Sequence, residues 1–332
     1  MRDLYEPLSL SSNKTVFKMG GFDLAETAAY VTIAIGILIY VFALCSNLLL
    51  LVIIAVNAHL HQPMYLLLFS LSFNDIIGVS AMIPPVVYNL MTEQRHTSFL
   101  SCLFQALFLH LNVGATFLIL SAMAFDRYIA ICHPLRYHAI MSKTTVNYIL
   151  MLCCLINFLL VGSVFGLTLR YPFCSTHVSN FYCDNMSILR MTCAKDITIN
   201  NLYGLFITGL YHGLTLFSIA FSYTFILIAC FRNKDSDARS KALYTCATHF
   251  LVFVIYECSA AVIVLVYRIP QSPLNLKKFM AMSLVVFPSC LNPIIYGAKT
   301  KEIKQKIKQI YKIFQRSALE KPRLNRVKTI AE

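Results

Sequence analysis

Seven stretches of this chain are almost continuously apolar, and short polar segments separate them. They cover roughly 28–56, 64–90, 99–125, 145–168, 200–231, 242–267 and 278–297. A run of about 20 apolar residues is long enough to cross the hydrocarbon layer of a bilayer as an α-helix. Inside lipid the backbone must satisfy its own hydrogen bonds, so the helix is the natural element for runs of this length. The period-2 alternation of a membrane barrel is missing. The pattern predicts an all-α membrane protein, a seven-transmembrane helix bundle. After the seventh run the period changes. Ile303, Ile307, Ile310, Tyr311 and Phe314 recur at i, i+4, i+7, i+8 and i+11, and Lys301, Lys304, Lys306, Lys308 and Lys312 fill much of the remaining surface. That spacing predicts an amphipathic eighth helix lying in the inner interface. Four regions follow: an extracellular tail at 1–27, the transmembrane domain at 28–298, the interfacial helix at 299–316 and a polar cytoplasmic tail at 317–332.

Composition agrees with the pattern. The chain is 58% hydrophobic and 13% charged, too apolar for a soluble domain of this length. The first 27 residues are polar and mixed in charge, with no cleavable signal peptide, so the first helix is expected to act as its own insertion signal. With the N-terminus outside, the cytoplasmic side carries 18 of the 28 Lys and Arg residues, mostly from the tail. The net charge of +13 therefore fits an anionic inner leaflet and a cytoplasmic partner rather than nucleic acid. Asn13 and Asn185 begin two sequons that this topology puts outside. Eight of the twelve cysteines lie in or beside apolar runs, where a free thiol acts as a small hydrophobe. Cys102, Cys174, Cys183 and Cys193 lie on the oxidising outer side, where four cysteines allow three pairings. No His/Cys spacing fits a metal site, and no hydrolytic or redox constellation or cofactor motif is visible.

Polar residues inside apolar runs carry the functional signal. Ionisable groups in a membrane are expensive and tend to face the bundle interior in pairs. Asp75, with Asn47, Asn292 and Thr116, predicts a polar cluster able to hold water or a sodium ion, or else a plain interhelical clamp. Pro293 removes a backbone hydrogen bond, and beside Asn292 and Tyr296 it makes a plausible hinge. Asp126-Arg127 falls where the third run meets water, within MAFDRYIAICHPL. We read it as a polar latch that ends a helix and starts a loop; the plainer reading is an interfacial anchor.

These residues together resemble the rhodopsin-like G-protein-coupled receptors, and within them the odorant receptors, over nearly the whole chain. Asn47, Asp75, Cys102, Asp126-Arg127-Tyr128 and Asn292-Pro293-Ile294-Ile295-Tyr296 match the general receptor marks in order. LHQPMY at Leu60–Tyr65, AICHPL within the third-run motif, Ser222-Tyr223 and KALYTCATHF at Lys241–Phe250 match the narrower odorant marks. Phe125, Ile129, PMYLLL, Tyr256-Glu257 and the absence of Trp depart from the family pattern. The resemblance implies pairings Cys102–Cys183 and Cys174–Cys193. It implies a plasma-membrane receptor for a small-molecule odorant, with Asp126, Arg127, Tyr128, Tyr223, Asn292, Pro293 and Tyr296 forming the switch. The implied partner is a stimulatory, olfactory-type heterotrimeric G protein, with cyclic AMP as the output.

Resemblance and helical spacing together assign a pocket. The third helix contributes Leu109, His110, Val113 and Gly114, the fifth Ile207 and Tyr211, and the sixth Glu257, Ala261, Val264 and Arg268. Leu109 stands where amine receptors keep an Asp. Glu257 lies about three turns inside the membrane and must be neutral, paired or hydrated. Arg268, 11 residues on, is about 16 Å along the same face, pointing inward or snorkelling to the interface. A mostly apolar pocket suits a small odorant; Glu257 and Arg268 together would suit an amino-acid-like ligand. Peptide or lipid receptors and an ion-coupled transporter are the alternatives, the last disfavoured because the chain shows no internal repeat.

Overall fold

The computed structural model describes residues 16–20, 26–92, 96–178, 180–232, 236–268, 273–300, 302–310 and 312. Some helical side chains, that of Arg268 among them, lie outside the description, as do Asn13, Lys301, Tyr311 and Phe314. The chain runs β1 (Val16–Met19), α1 (Glu26–Val56), α2 (Pro63–Met91), β2 (His96–Ser98), α3 (Phe99–Cys132), α4 (Tyr137–Ile140) and α5 (Lys143–Leu169). It continues through β3 (His177–Val178), α6 (Asn185–Arg190), α7 (Thr198–Arg232), α8 (Ser236–Arg268) and α9 (Leu274–Lys299). Seven of these helices are long and apolar enough to cross a membrane. Their ends follow local chemistry. Pro63 opens α2 where its missing N–H is no loss. Ser98 and Ser142 cap α3 and α5 by accepting the amides of Ser101 and Thr145.

The third helix overruns the predicted end. Hydropathy places its end near residue 125, yet α3 continues to Cys132 and stops at His133, just before Pro134. Asp126-Arg127 therefore does not end the helix. It lies within the last two turns, its acid fully buried, because the charges pair with each other and with α4 rather than with water.

The bundle is organised around α2 and α3. In their most apolar windows 56% of residues are buried, against 17% for α5. The outward faces of α1, α5 and α7 carry exposed Leu38, Leu155, Phe158 and Phe217, as lipid-facing helices should. Two glycines permit close approach. A Cβ on Gly78 would enter the Asn112 carboxamide, and one on Gly114 would enter Asn157 and the Tyr211 hydroxyl.

A small sheet closes the outer end. β1 is its central strand, antiparallel to β2 and parallel to β3, so the N-terminal segment is stitched between the α2–α3 and α5–α7 connections. Phe17 is buried against Phe99 and Phe173, at ring separations of 5.9 and 6.3 Å. Disulfide bonds join Cys102 to Cys183, tying the long loop to α3, and Cys174 to Cys193 within that loop. Asp184 caps α6 by accepting the Ser187 amide. Asn185 is buried and accepts a hydrogen bond from Thr168.

At the inner end, residues 302–310 are helical. Ile303 is buried, Ile307 and Ile310 pack on the main core, and Lys304 and Lys308 are exposed. Tyr65 at the start of α2 donates to Glu302 at 3.2 Å.

Candidate functional site

The inner latch is built by α3 and α4. Arg127 Nη2 lies 3.1 Å from Asp126 Oδ2, and the Tyr137 hydroxyl donates to Asp126 Oδ1 at 2.8 Å. Burial, and then the Asp126 charge, push the Tyr137 phenol well above its usual range, so it remains a donor. Arg127 Nε is buried and has no hydrogen-bond partner among the described residues. Two tyrosines tether the inner half of α8. Tyr223 of α7 donates to the Cys246 carbonyl at 2.7 Å, and the Tyr296 hydroxyl of α9 is 3.3 Å from His249 Nδ1. Tyr128 packs edge-on against Phe221 of α7. Of the residues named as a switch, Asp126, Arg127, Tyr128, Tyr223 and Tyr296 lie at the inner end, beside His249 and Tyr137, while Asn292 and Pro293 lie deeper in the bundle.

In the middle of the bundle Asn292 donates to Asp75 Oδ2 at 2.8 Å. Pro293 has no N–H to give to the carbonyl of Ser289, four residues earlier. Asn47 supplies that donor from α1 at 2.8 Å. The predicted hinge is therefore strapped to α1. Thr116 is not in this cluster. It accepts from Asn74 at 3.0 Å, and Asn74 exchanges further bonds with Asn112, forming a separate α2–α3 clamp. Sequence reading missed Asn74 and Asn112, although both are intramembrane amides of the kind that flagged Asn47. Asn47 Oδ1 and Ser72 Oγ are buried without hydrogen-bond partners among the described residues.

Toward the outer side the predicted pocket residues divide. Gly114, Ile207, Tyr211 and Glu257 are buried, with Val113 half-buried. Tyr211 donates to Asn157 Oδ1 at 2.8 Å, and Tyr256 to the Val113 carbonyl at 3.0 Å. Glu257 Oε2 lies 2.5 Å from Nδ1 of His212, which joins α7 to α8. Glu257 Oε1 is buried and makes no hydrogen bond among the described residues. Phe117 sits under this pair, 4.8 Å from both the His212 and Tyr256 rings. Leu109 packs higher, in a cluster with Phe181 and Tyr182 of the long loop. His110 is not part of the group: its ring stands on Phe165 of α5, and its Nδ1 is bonded to the Ala106 carbonyl. Ala261 is exposed and Val264 half-buried. The arrangement offers an aromatic wall with one acid–imidazole pair that bridges α7 and α8.

Comparison with known proteins agrees with this architecture. A family model described as "Olfactory receptor" matches residues 37–313. Human olfactory receptor 52D1 is 38% identical over 271 residues, 81% of this chain and 85% of that protein. Human olfactory receptor 52B2 is 35% identical over 270 residues, covering 81% and 83%. Human olfactory receptor 52B6 is 33% identical over 327 residues, covering 94% and 97%. The seven helices, two outer disulfides and inner polar layer are those of an odorant-binding, multi-pass receptor of the plasma membrane, and the chain belongs to the olfactory receptor family.

Proposed function

We propose that a small odorant entering from the extracellular side binds beside Tyr211 and Glu257. This draws α7 and α8 into a new arrangement, and the Asp126–Arg127 latch opens onto a stimulatory heterotrimeric G protein. The observation that carries this reading is the latch itself. Arg127 is held by one acid, its Nε is uncommitted, and the tethers of α8 are single hydrogen bonds. A ligand shifts such an equilibrium only by binding one state better, and a G protein that competes for Arg127 has that difference in interaction energy. Arg127→Ala should abolish ligand-evoked cyclic AMP in transfected cells at near-normal surface expression. Normal signalling from that variant would sink the proposal.

Glu257 sets the ligand chemistry within this reading. A buried carboxylate oxygen without a donor favours a ligand that brings one, such as an amine or alcohol, over a bare hydrocarbon. Glu257→Gln keeps the shape but replaces one acceptor with an amide donor. Among agonists of matched size, donor-bearing ones should lose about tenfold or more in potency while donor-free ones hold theirs. Equal potencies for both sets in wild type and variant would reduce Glu257 to a clamp on His212.

A further inference from the structure

A cavity lies outside the bundle interior, at the outer ends of α2 and α3. It has a volume of about 560 Å³, and its roof is formed by Met19 of β1 and by β2. That volume falls within the range of small-molecule sites, about 300–1,000 Å³. Its walls come from Pro84, Pro85 and Tyr88 of α2 and from Ser101 and Phe108 of α3. Tyr88 and Phe108 are largely exposed, so the cavity meets the lipid side as well as the polar mouth formed by β2.

The two adjacent prolines determine its chemistry. Neither has an N–H, so the carbonyls four residues earlier, on Ser80 and Ala81, lose their usual helical donors. The Ala81 carbonyl is answered: Gln105 Nε2 donates to it at 3.0 Å, while Gln105 Oε1 accepts the Cys183 amide at 2.9 Å. The same side chain thus repairs α2 and anchors the disulfide-bonded loop. The Ser80 carbonyl has no such repair. Among the described residues no group outside α2 donates to it, and the Ser80 hydroxyl is 3.3 Å from the Tyr40 hydroxyl. Ser80 and Gln105 both line the cavity. Pro84, Pro85 and Phe108 thus give the cavity an apolar side next to Ser80, while Asn89, His96 and Thr97 make its opposite side polar.

We propose that this cavity is a second ligand site, separate from the pocket at Tyr211 and Glu257, for a neutral molecule with an apolar body and one hydroxyl donor. The hydroxyl gives its proton to the freed Ser80 carbonyl, and the body lies on Pro84, Pro85 and Phe108 beneath β1. The same chemistry can arrive as a free aliphatic alcohol or as a membrane sterol. An occupant here wedges between α2 and the Gln105-anchored loop, so it acts on the outer frame of the receptor and not on the odorant contacts.

The test uses full-length receptor in lipid nanodiscs, with and without cholesterol, photolabelled by a diazirine analogue of octan-1-ol and mapped by peptide sequencing. Label is expected within 80–108. It should be displaced by octan-1-ol about threefold to tenfold more effectively than by octane, the span of one ordinary hydrogen bond. Pro84→Ala returns a backbone N–H to the Ser80 carbonyl and should erase that preference. Ser101→Phe fills the mouth and should remove the labelling altogether, which covers the case where Pro84→Ala fails to fold. Labelling lost in cholesterol discs would identify the sterol as occupant; labelling unchanged there would identify the free alcohol. Label distributed elsewhere, or octane competing as well as octanol in wild type, would overturn the site. Because the readout is labelling, the result is independent of whether odorants evoke cyclic AMP.

Discussion

At the outer end, two disulfides and a three-stranded sheet hold the long loop, the N-terminal segment and α3 together. At the inner end, the corresponding work is done by an ion pair and a handful of tyrosine hydroxyls. Covalent closure resists rearrangement whatever the state of the ligand. Single hydrogen bonds, each worth about 0.5–1.5 kcal/mol net, can be exchanged for contacts with a partner. The contrast assigns the two ends different tasks. On the function proposed above, the outer end would keep a fixed frame around ligand entry, and the inner end would open by exchanging a few single hydrogen bonds.

The sharpest way to break this contrast is to cut the outer staple. Cys102→Ser removes the bond between α3 and the long loop, and the Cys102→Ser/Cys183→Ser double variant does so without leaving an odd thiol. Loss of a native disulfide costs about 2–5 kcal/mol. Both variants should therefore lose most surface expression and all ligand response. Flow cytometry on unpermeabilised cells, paired with a cyclic AMP assay, measures both. If either variant reaches the surface and signals normally, the outer frame does not depend on covalent closure.

How far these features can be read from sequence depends on how far apart their partners are. The seven helices were legible because each is defined by its own local run of apolar residues, and the predicted and observed ends mostly differ by a few residues. The exception, α3, shows the limit of hydropathy. Asp126-Arg127 reads as a helix end because it is charged, but mutual pairing lets charge stay inside a helix. Strand β1 was not foreseen. VFKM is only four residues long, and its partners lie about 80 and 160 positions away. The residues named as a switch carried family marks, so they could be picked out from the sequence without their partners. His212 carried none, and its role depends on Glu257, 45 residues further on, which periodicity within one helix cannot reveal. Thr116 was assigned to the wrong cluster for a related reason. Depth in the membrane can be counted along a helix, but the choice between Asp75 and Asn74 depends on helix rotation, which is fixed by the close approach of Gly78 to Asn112.

The smallest expected effect concerns one hydroxyl at the inner end. Tyr137→Phe removes the proton that Asp126 Oδ1 accepts at 2.8 Å and leaves the acid to Arg127 alone. A hydrogen bond to a charged group is worth about 1.5–3 kcal/mol, but part of it is replaced by the competing Arg127 contact. Basal cyclic AMP should therefore rise about threefold to tenfold, with surface expression preserved. The sign of any pH effect follows from the phenol. Burial and the Asp126 charge raise its folded-state pKa above the unfolded value. Its contribution is then complete below that unfolded value, near 10, and fades only as the pH rises further. The ratio of variant to wild-type basal activity should stay flat from pH 6 to 8 when the cytoplasmic side is clamped in permeabilised cells or inside-out vesicles. A ratio that collapses toward one anywhere in that window would mean that Tyr137 is not the donor holding Asp126, and that the inner end is locked by Arg127 alone.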